Sequence, residues 1–288
     1  MNRHQSINLR QLCLGYFLYS ISIKILTLPS VLAQGAGGWA WLSAGLGVAF
    51  EIATVALATL ILKFTDSRKP FFRGLCFVLV PLIIAELWLN CLQIYHLAYT
   101  DLFTDLSMLI FIITLVLLGG FFLTRQPRAV FRAGEIVWLL FAFGLILAIA
   151  PTLYKLHADW SQLVVGDWRS VFTTAGGHLL FFESASFVLV FGSETKKTSG
   201  ELRKINLTAL LCGLGYCAMM VLFIILFGTM AAHKGMGLVE FTSAAQFLTT
   251  TGSLDWLITI AVLSVLVLRF GVQLVAIVTL VKRGLNRK

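Results

Sequence analysis

The chain has 288 residues, of which 59% are hydrophobic and only 12% charged, with a net charge of +9. Soluble domains carry about 25% charged residues, so the composition excludes an ordinary water-soluble fold; the charges gather in short clusters between long apolar stretches. Backbone groups must pair within each span in a bilayer, and apolar runs of about 20 residues select helices over a barrel, whose alternating strands of about 10 residues are not visible.

Eight spans are predicted, near 11–33, 39–64, 74–97, 105–124, 130–154, 171–193, 204–231 and 255–281. The expected fold is an all-α polytopic membrane protein, with one transmembrane domain over residues 1–288. Span one opens after Arg3 and Arg10 and runs to Val31-Leu32-Ala33, an arrangement that also suits a secretory signal. Lys24 interrupts the apolar region, and the stretch exceeds a signal core, so it is read as a span. Within it, Ile25-Leu26-Thr27-Leu28-Pro29-Ser30 should kink or open just before Pro29. Span two holds Glu51, which has no strong polar residue near it in sequence and is read as a helix-packing ion-pair member.

Span three carries Glu86, Asn90 and Gln93 at i, i+4 and i+7, a polar stripe on one helix face that should meet a polar interior. Glu135, one turn into span five beside Arg132, suits a positive helix N-terminus and is read as structural. His96 and His157 fall near a membrane boundary. Span six begins Thr173-Thr174-Ala175-Gly176-Gly177-His178 and continues to Glu183; this start is too polar for a plain lipid-facing helix and predicts a second break. Arg269 and Gln273 form a shorter stripe in span eight. Broken membrane helices are tolerated where they line a cavity, and their freed backbone groups can bind polar solutes. Breaks in the first and sixth spans are what two five-helix inverted repeats would show.

Five charges therefore lie near mid-span: Lys24, Glu51, Glu86, Glu183 and Arg269. Each costs about 2.5–3.5 kcal/mol at a helix centre on insertion scales, so partners or a cavity are expected. Two cations against three acids leave one carboxylate over, a candidate proton carrier. The five cysteines (Cys13, Cys76, Cys91, Cys212, Cys217) show no CxxC pair and read as small hydrophobes.

Orientation follows from the basic residues. Seventeen of the 22 Lys and Arg fall on one side of the eight spans: Arg3 and Arg10; Lys63, Arg68, Lys69 and Arg73; Arg125, Arg128 and Arg132; Lys196, Lys197, Arg203 and Lys204; Lys282, Arg283, Arg287 and Lys288. Only Lys155, Arg169 and Lys234, three in all, fall on the other. The basic side is expected to be cytosolic, with both termini there.

Several segments together resemble the B subunits of GerA-type spore germinant receptors, a branch of the amino acid, polyamine and organocation transporter superfamily. They are Ile25–Ser30; Gly38-Trp39-Ala40-Trp41-Leu42-Ser43; Arg132-Ala133-Gly134-Glu135; Phe182-Glu183 followed by basic residues; and Asp255-Trp256. The resemblance implies a leucine-transporter-like fold with broken helices 1 and 6, truncated here to the first eight of about ten helices. It implies a small ligand such as an amino acid, germinant receptor A and C subunits as partners, and the spore inner membrane as location. Lys24 stands where the family typically has a small residue, often glycine. The same fold type packs its two broken helices together, which makes Glu183 the expected partner of Lys24.

The expected function is a germinant receptor B subunit that senses a small polar molecule during spore germination. The alternative is a secondary amino acid or organic cation permease, possibly proton-coupled. Expected ligand-binding residues are Lys24, Thr27, Glu86, Asn90, His178, Glu183, Arg269 and Gln273. An enzyme is not expected, since the sequence has no HExxH, GxSxG, P-loop or metal-ligand cluster; no cofactor and no nucleic acid partner are expected either.

Overall fold

The first apolar stretch cannot run as one regular helix, because Pro29 has no amide hydrogen and its ring collides with the carbonyl four residues earlier. In the computed structural model, helix α1 spans Leu9–Lys24, the chain turns through residues 25–27, and α2 restarts at Leu28–Ala36. Pro29 lies in the first turn of α2, where a missing amide costs nothing. The structure describes residues 7–64, 70–102, 107–155, 160–194, 199–235, 237, 240–241 and 255–285. His157, Asp105, Asp159 and the loop cations Arg3, Arg68, Lys69, Lys196, Lys197, Arg287 and Lys288 lie outside them, as does the expected start of the fourth span at 105.

From α2 the chain passes a 3-10 turn at Gly37–Trp39 into α3, Ala40–Phe64. Gly37 has φ 58, the left-handed region a side chain would resist, and the next amide, of Gly38, donates to the Val165 carbonyl. Next come α4 (Pro70–Leu97), α5 (Met108–Thr124) and α6 (Pro127–Lys155). The second interrupted segment is α7 (Ser170–Gly177), a 3-10 turn at Leu179–Phe182 and α8 (Ala185–Phe191), with the two arms bent by 65°. Helices α9 (Ser199–Phe227) and α10 (Asp255–Gly284) complete the described chain, in which no strand occurs.

Five helical runs are long and apolar enough to cross a membrane: Leu28–Phe64, Gly74–Thr100, Pro127–Ala150, Gly200–His233 and Trp256–Gly284. The bent pair makes a sixth. Helix α1 has 16 residues, short of a full crossing, and α5 has 17, at the lower end of what a crossing takes. Side chains turned outward are apolar over wide areas, including Leu109, Ile110, Ile113, Val116 and Leu117 on α5 and Ile136, Leu139, Phe143 and Ile146 on α6. Such a band would be untenable in water and costs nothing against acyl chains. The chain is a multi-pass membrane protein whose apolar helices meet lipid.

Helix α10 packs along α4 and α6, and α3 along α9, α8 and α7. Helix α1 is central, touching α6, α9, α10 and α8. All but five of its 16 residues are buried. It can therefore present polar groups on two adjacent faces without exposing either to lipid.

Candidate functional site

One face of α1 carries Tyr16, Ser20 and Lys24, four residues apart and so stacked one turn above the next. Opposite them on α3 stands Glu51. The two charged side chains are each 1% exposed, and the Lys24 ammonium pairs with Glu51 Oε2. The ammonium also donates to Ser20 Oγ at 2.7 Å. The other carboxylate oxygen, Oε1, accepts from Ser20 at 2.6 Å, Ser184 at 2.7 Å and Tyr16 at 3.1 Å. Taking these charges out of water is costly, and the hydroxyls recover part of that by satisfying the carboxylate's lone pairs. The Phe182 ring completes the enclosure, its centroid 5.3 Å from the ammonium. Room for that ring comes from Gly47, one turn before Glu51, where any Cβ would collide with it.

The neighbouring face of α1, through Tyr19 and Ile23, meets α4 and α10. Arg269 donates Nη2 to Glu86 Oε2 at 2.9 Å and Nη1 to the Tyr19 carbonyl, with its guanidinium 4.1 Å from the Tyr19 ring centroid. The Tyr19 hydroxyl donates to the same Glu86 oxygen. Further along, Asn90 Nδ2 donates to the Leu266 carbonyl at 3.1 Å and to Gln273 Oε1 at 3.3 Å. Gln93 Nε2 donates to the Ile23 carbonyl at 3.0 Å and to Thr27 Oγ1 at 3.1 Å, tying α4 to the break of the first span. Along this seam Asn90 Oδ1, Gln93 Oε1, Arg269 Nε and Gln273 Nε2 are buried without a hydrogen-bond partner among the described residues, and Glu86 Oε1 has no donor there outside the neighbouring Glu183 carboxyl. Buried polar atoms usually have one, so the seam holds unused bonding capacity.

The second interruption joins the two pairs. Glu183 and Ser184 are the non-helical residues between the 3-10 turn and α8. The Ser184 hydroxyl is bonded to Glu51 and lies 2.9 Å from that of Tyr16. Its neighbour Glu183 faces the other way, and its carboxyl adjoins that of Glu86. The Glu183 oxygens also accept from the Ser186 amide and hydroxyl, each at 2.8 Å, which caps α8. Two adjacent residues of one break thus reach both buried ion pairs.

Of the residues singled out from sequence, Lys24, Thr27, Glu86, Asn90, Glu183, Arg269 and Gln273 belong to this connected centre. His178 stands apart: its Nδ1 is 2.8 Å from the Thr174 carbonyl of its own helix, and its ring packs near Phe181. The partner of Lys24 is Glu51 rather than Glu183. The reason is positional: Lys24 shares its face of α1 with Ser20 and Tyr16, which both bond Glu51, while Glu183 is spent on Glu86 and Ser186. Glu51, read from sequence as a helix-packing ion-pair member, does pair across helices, and the hydroxyls gathered on it make it central as well. Tyr16, Tyr19, Ser20, Phe182 and Ser184 were missed; the 16, 20, 24 spacing on α1 is the signal that could have revealed two of them.

An apolar cavity of about 100 Å³ lies beside the first pair, lined by Phe17, Ile21, Ile25, Phe141, Cys212 and Met219 among others. Cys212 Sγ is 3.5 Å from Ser20 Oγ, so this cavity and the Glu51 cluster share a wall. A second cavity of about 230 Å³ at the α2–α3 turn is lined by Gly37, Gly38, Gln162, Gly166 and Gly228. No protein-family model matches the chain, and no curated protein matches it in sequence.

Proposed function

We propose that this protein is a membrane receptor subunit that senses a small polar solute, with an amino acid as the ligand class, in the manner of the B subunits of spore germinant receptors. The observation that carries the reading is the Glu183–Ser184 break, which touches both buried ion pairs through adjacent residues. A solute bound at that break would change contacts to α3, α4 and α10 at once, which is what a sensor must do to report occupancy to a partner. The unpaired seam atoms near Glu86 and Asn90 offer the bonds such a solute would take.

In this reading α1 and α2 form one broken span and α7 and α8 another, which with the remaining six helices makes eight, in a leucine-transporter-like arrangement. The seventeen-to-three distribution of basic residues supports cytosolic termini. The A and C subunits of a germinant receptor would be the partners, in the spore inner membrane. A second reading, a proton-coupled amino acid or organic cation permease, is favoured by one observation: among the described residues, Glu183 is the mid-span acid without a cation of its own, set against a second acid, Glu86.

Reconstitution separates the two. A receptor subunit in proteoliposomes binds labelled amino acid without accumulating it and is extracted with its A subunit from native membranes. A permease accumulates the solute, driven by an imposed pH gradient. Absence of binding for every amino acid and small organic cation tested would defeat both readings.

A further inference from the structure

We propose that Tyr16, Ser20, Glu51, Phe182 and Ser184 form a binding site for a primary ammonium group, and that Lys24 is its tethered occupant. An ammonium has three donors and no acceptor, so a site for it needs oxygen acceptors and a negative or aromatic wall. All three are in place around Lys24 Nζ: Glu51 Oε2, Ser20 Oγ at 2.7 Å, and the face of Phe182 at 5.3 Å.

What separates this cage from a plain helix-packing ion pair is the state of the acid. A packing carboxylate relies on its cation for solvation. Glu51 Oε1 already accepts three hydroxyl hydrogens, from two turns of α1 and from the second break. Oε1 therefore stays held and the carboxylate keeps its orientation when the ammonium leaves, while Oε2 is freed to take another ammonium, so the cation is exchangeable. The fully buried Lys24 stem marks the space in which a ligand's short alkyl chain would lie, with the apolar cavity of about 100 Å³ behind Cys212. A quaternary ammonium fits less well, having no hydrogen for Glu51 or Ser20 and a bulk that Phe182, fully buried, leaves no room for.

This names the ligand class of the sensing site: a primary amine or amino acid whose ammonium displaces that of Lys24. That biological use rests on the receptor reading above, whereas the cage itself can be tested without it. Thermal unfolding of the purified full-length Lys24→Ala variant in detergent is followed against n-butylammonium chloride, with tetramethylammonium chloride at equal ionic strength as comparison. The expected result is saturable stabilisation by n-butylammonium, at least tenfold tighter than by tetramethylammonium, and abolished in Lys24→Ala with Glu51→Gln. Equal effects of the two salts, or an undiminished effect without Glu51, would overturn the proposal. Should Lys24→Ala not fold alone, its recovery as monodisperse protein when extracted in n-butylammonium but not in tetramethylammonium gives the same support; no recovery in either overturns it. If n-butylammonium binds Lys24→Ala while no amino acid or amine binds the unaltered protein, the cage stands and the receptor reading falls.

Discussion

Removing one member of the Lys24–Glu51 pair should cost far more than removing both. Each side chain is 1% exposed, so neither water nor salt screens the pair. Deleting one partner of a buried pair typically costs about 3–5 kcal/mol, because the other charge is left buried. The surroundings rank the two losses. In Lys24→Met the Glu51 carboxylate retains three hydroxyl donors, which places the cost near the lower end, about 3 kcal/mol. In Glu51→Gln the Lys24 ammonium retains Ser20 and the Phe182 face, which places the cost near about 5 kcal/mol. The double variant leaves no buried charge at this site, and we predict a coupling of at least about 2 kcal/mol in its favour. The surface pair Lys234–Glu240, 31% and 25% exposed, is the control and should couple by no more than about 1 kcal/mol. Unfolding of the purified chain in mixed micelles, titrated with a denaturing detergent and followed by helical circular dichroism, measures all six variants. If the double variant loses the sum of the two single losses, the two groups do not act as a pair and the reasoning fails.

Arg269→Lys should destabilise by about 2–4 kcal/mol in the same assay despite keeping its charge, since a single ammonium cannot serve Glu86 and the Tyr19 carbonyl while stacking on the Tyr19 ring; a loss below about 0.5 kcal/mol would show that the fork geometry is not used. Gly47→Ala drives a methyl into Phe182 and should cost about 1–3 kcal/mol, with most of it recovered when Phe182→Leu is added; an additive double variant would contradict this packing. Ser184→Ala removes a hydroxyl shared by Glu51 and Tyr16, and we predict a loss of about 1–3 kcal/mol, larger than for Ser264→Ala, whose hydroxyl bonds only its own helix. For orientation, a cysteine replacing Asp167 in a cysteine-free background should react with an impermeant maleimide added outside intact cells, and one replacing Arg203 only after permeabilisation; the reverse pattern would invert the topology.

The break before Pro29 was legible because proline removes a specific backbone hydrogen bond, a local rule that needs no partner. The stripe of Glu86, Asn90 and Gln93 was legible too, since helical spacing puts the three on one face and that face is buried against α1 and α10. Which acid meets which base was not. The Glu51 side chain has no partner on its own helix; its partners come from α1, 27 to 35 residues away, and from the second break, 133 residues away. Hydropathy gives no guidance on such pairing in a membrane, because lipid-facing and protein-facing positions are equally apolar and the helices lack a one-sided stripe. The gap expected between the first two spans, residues 34–38, is instead the end of α2 and a 3-10 link at Gly37–Trp39 that runs α2 into α3. His178 was chosen for its type and its place near a break, yet a carbonyl one turn back in its own helix already engages its ring.

The central claim is that the two interrupted segments hold a buried polar centre that takes a small solute through its ammonium group, and isothermal titration of the purified protein with amino acids and short primary amines tests it most directly. At least one such compound is expected to bind the unaltered chain, and Glu51→Gln to weaken that binding at least tenfold while leaving the protein helical. Binding that survives Glu51→Gln undiminished, or a complete absence of binding across the panel, would contradict it.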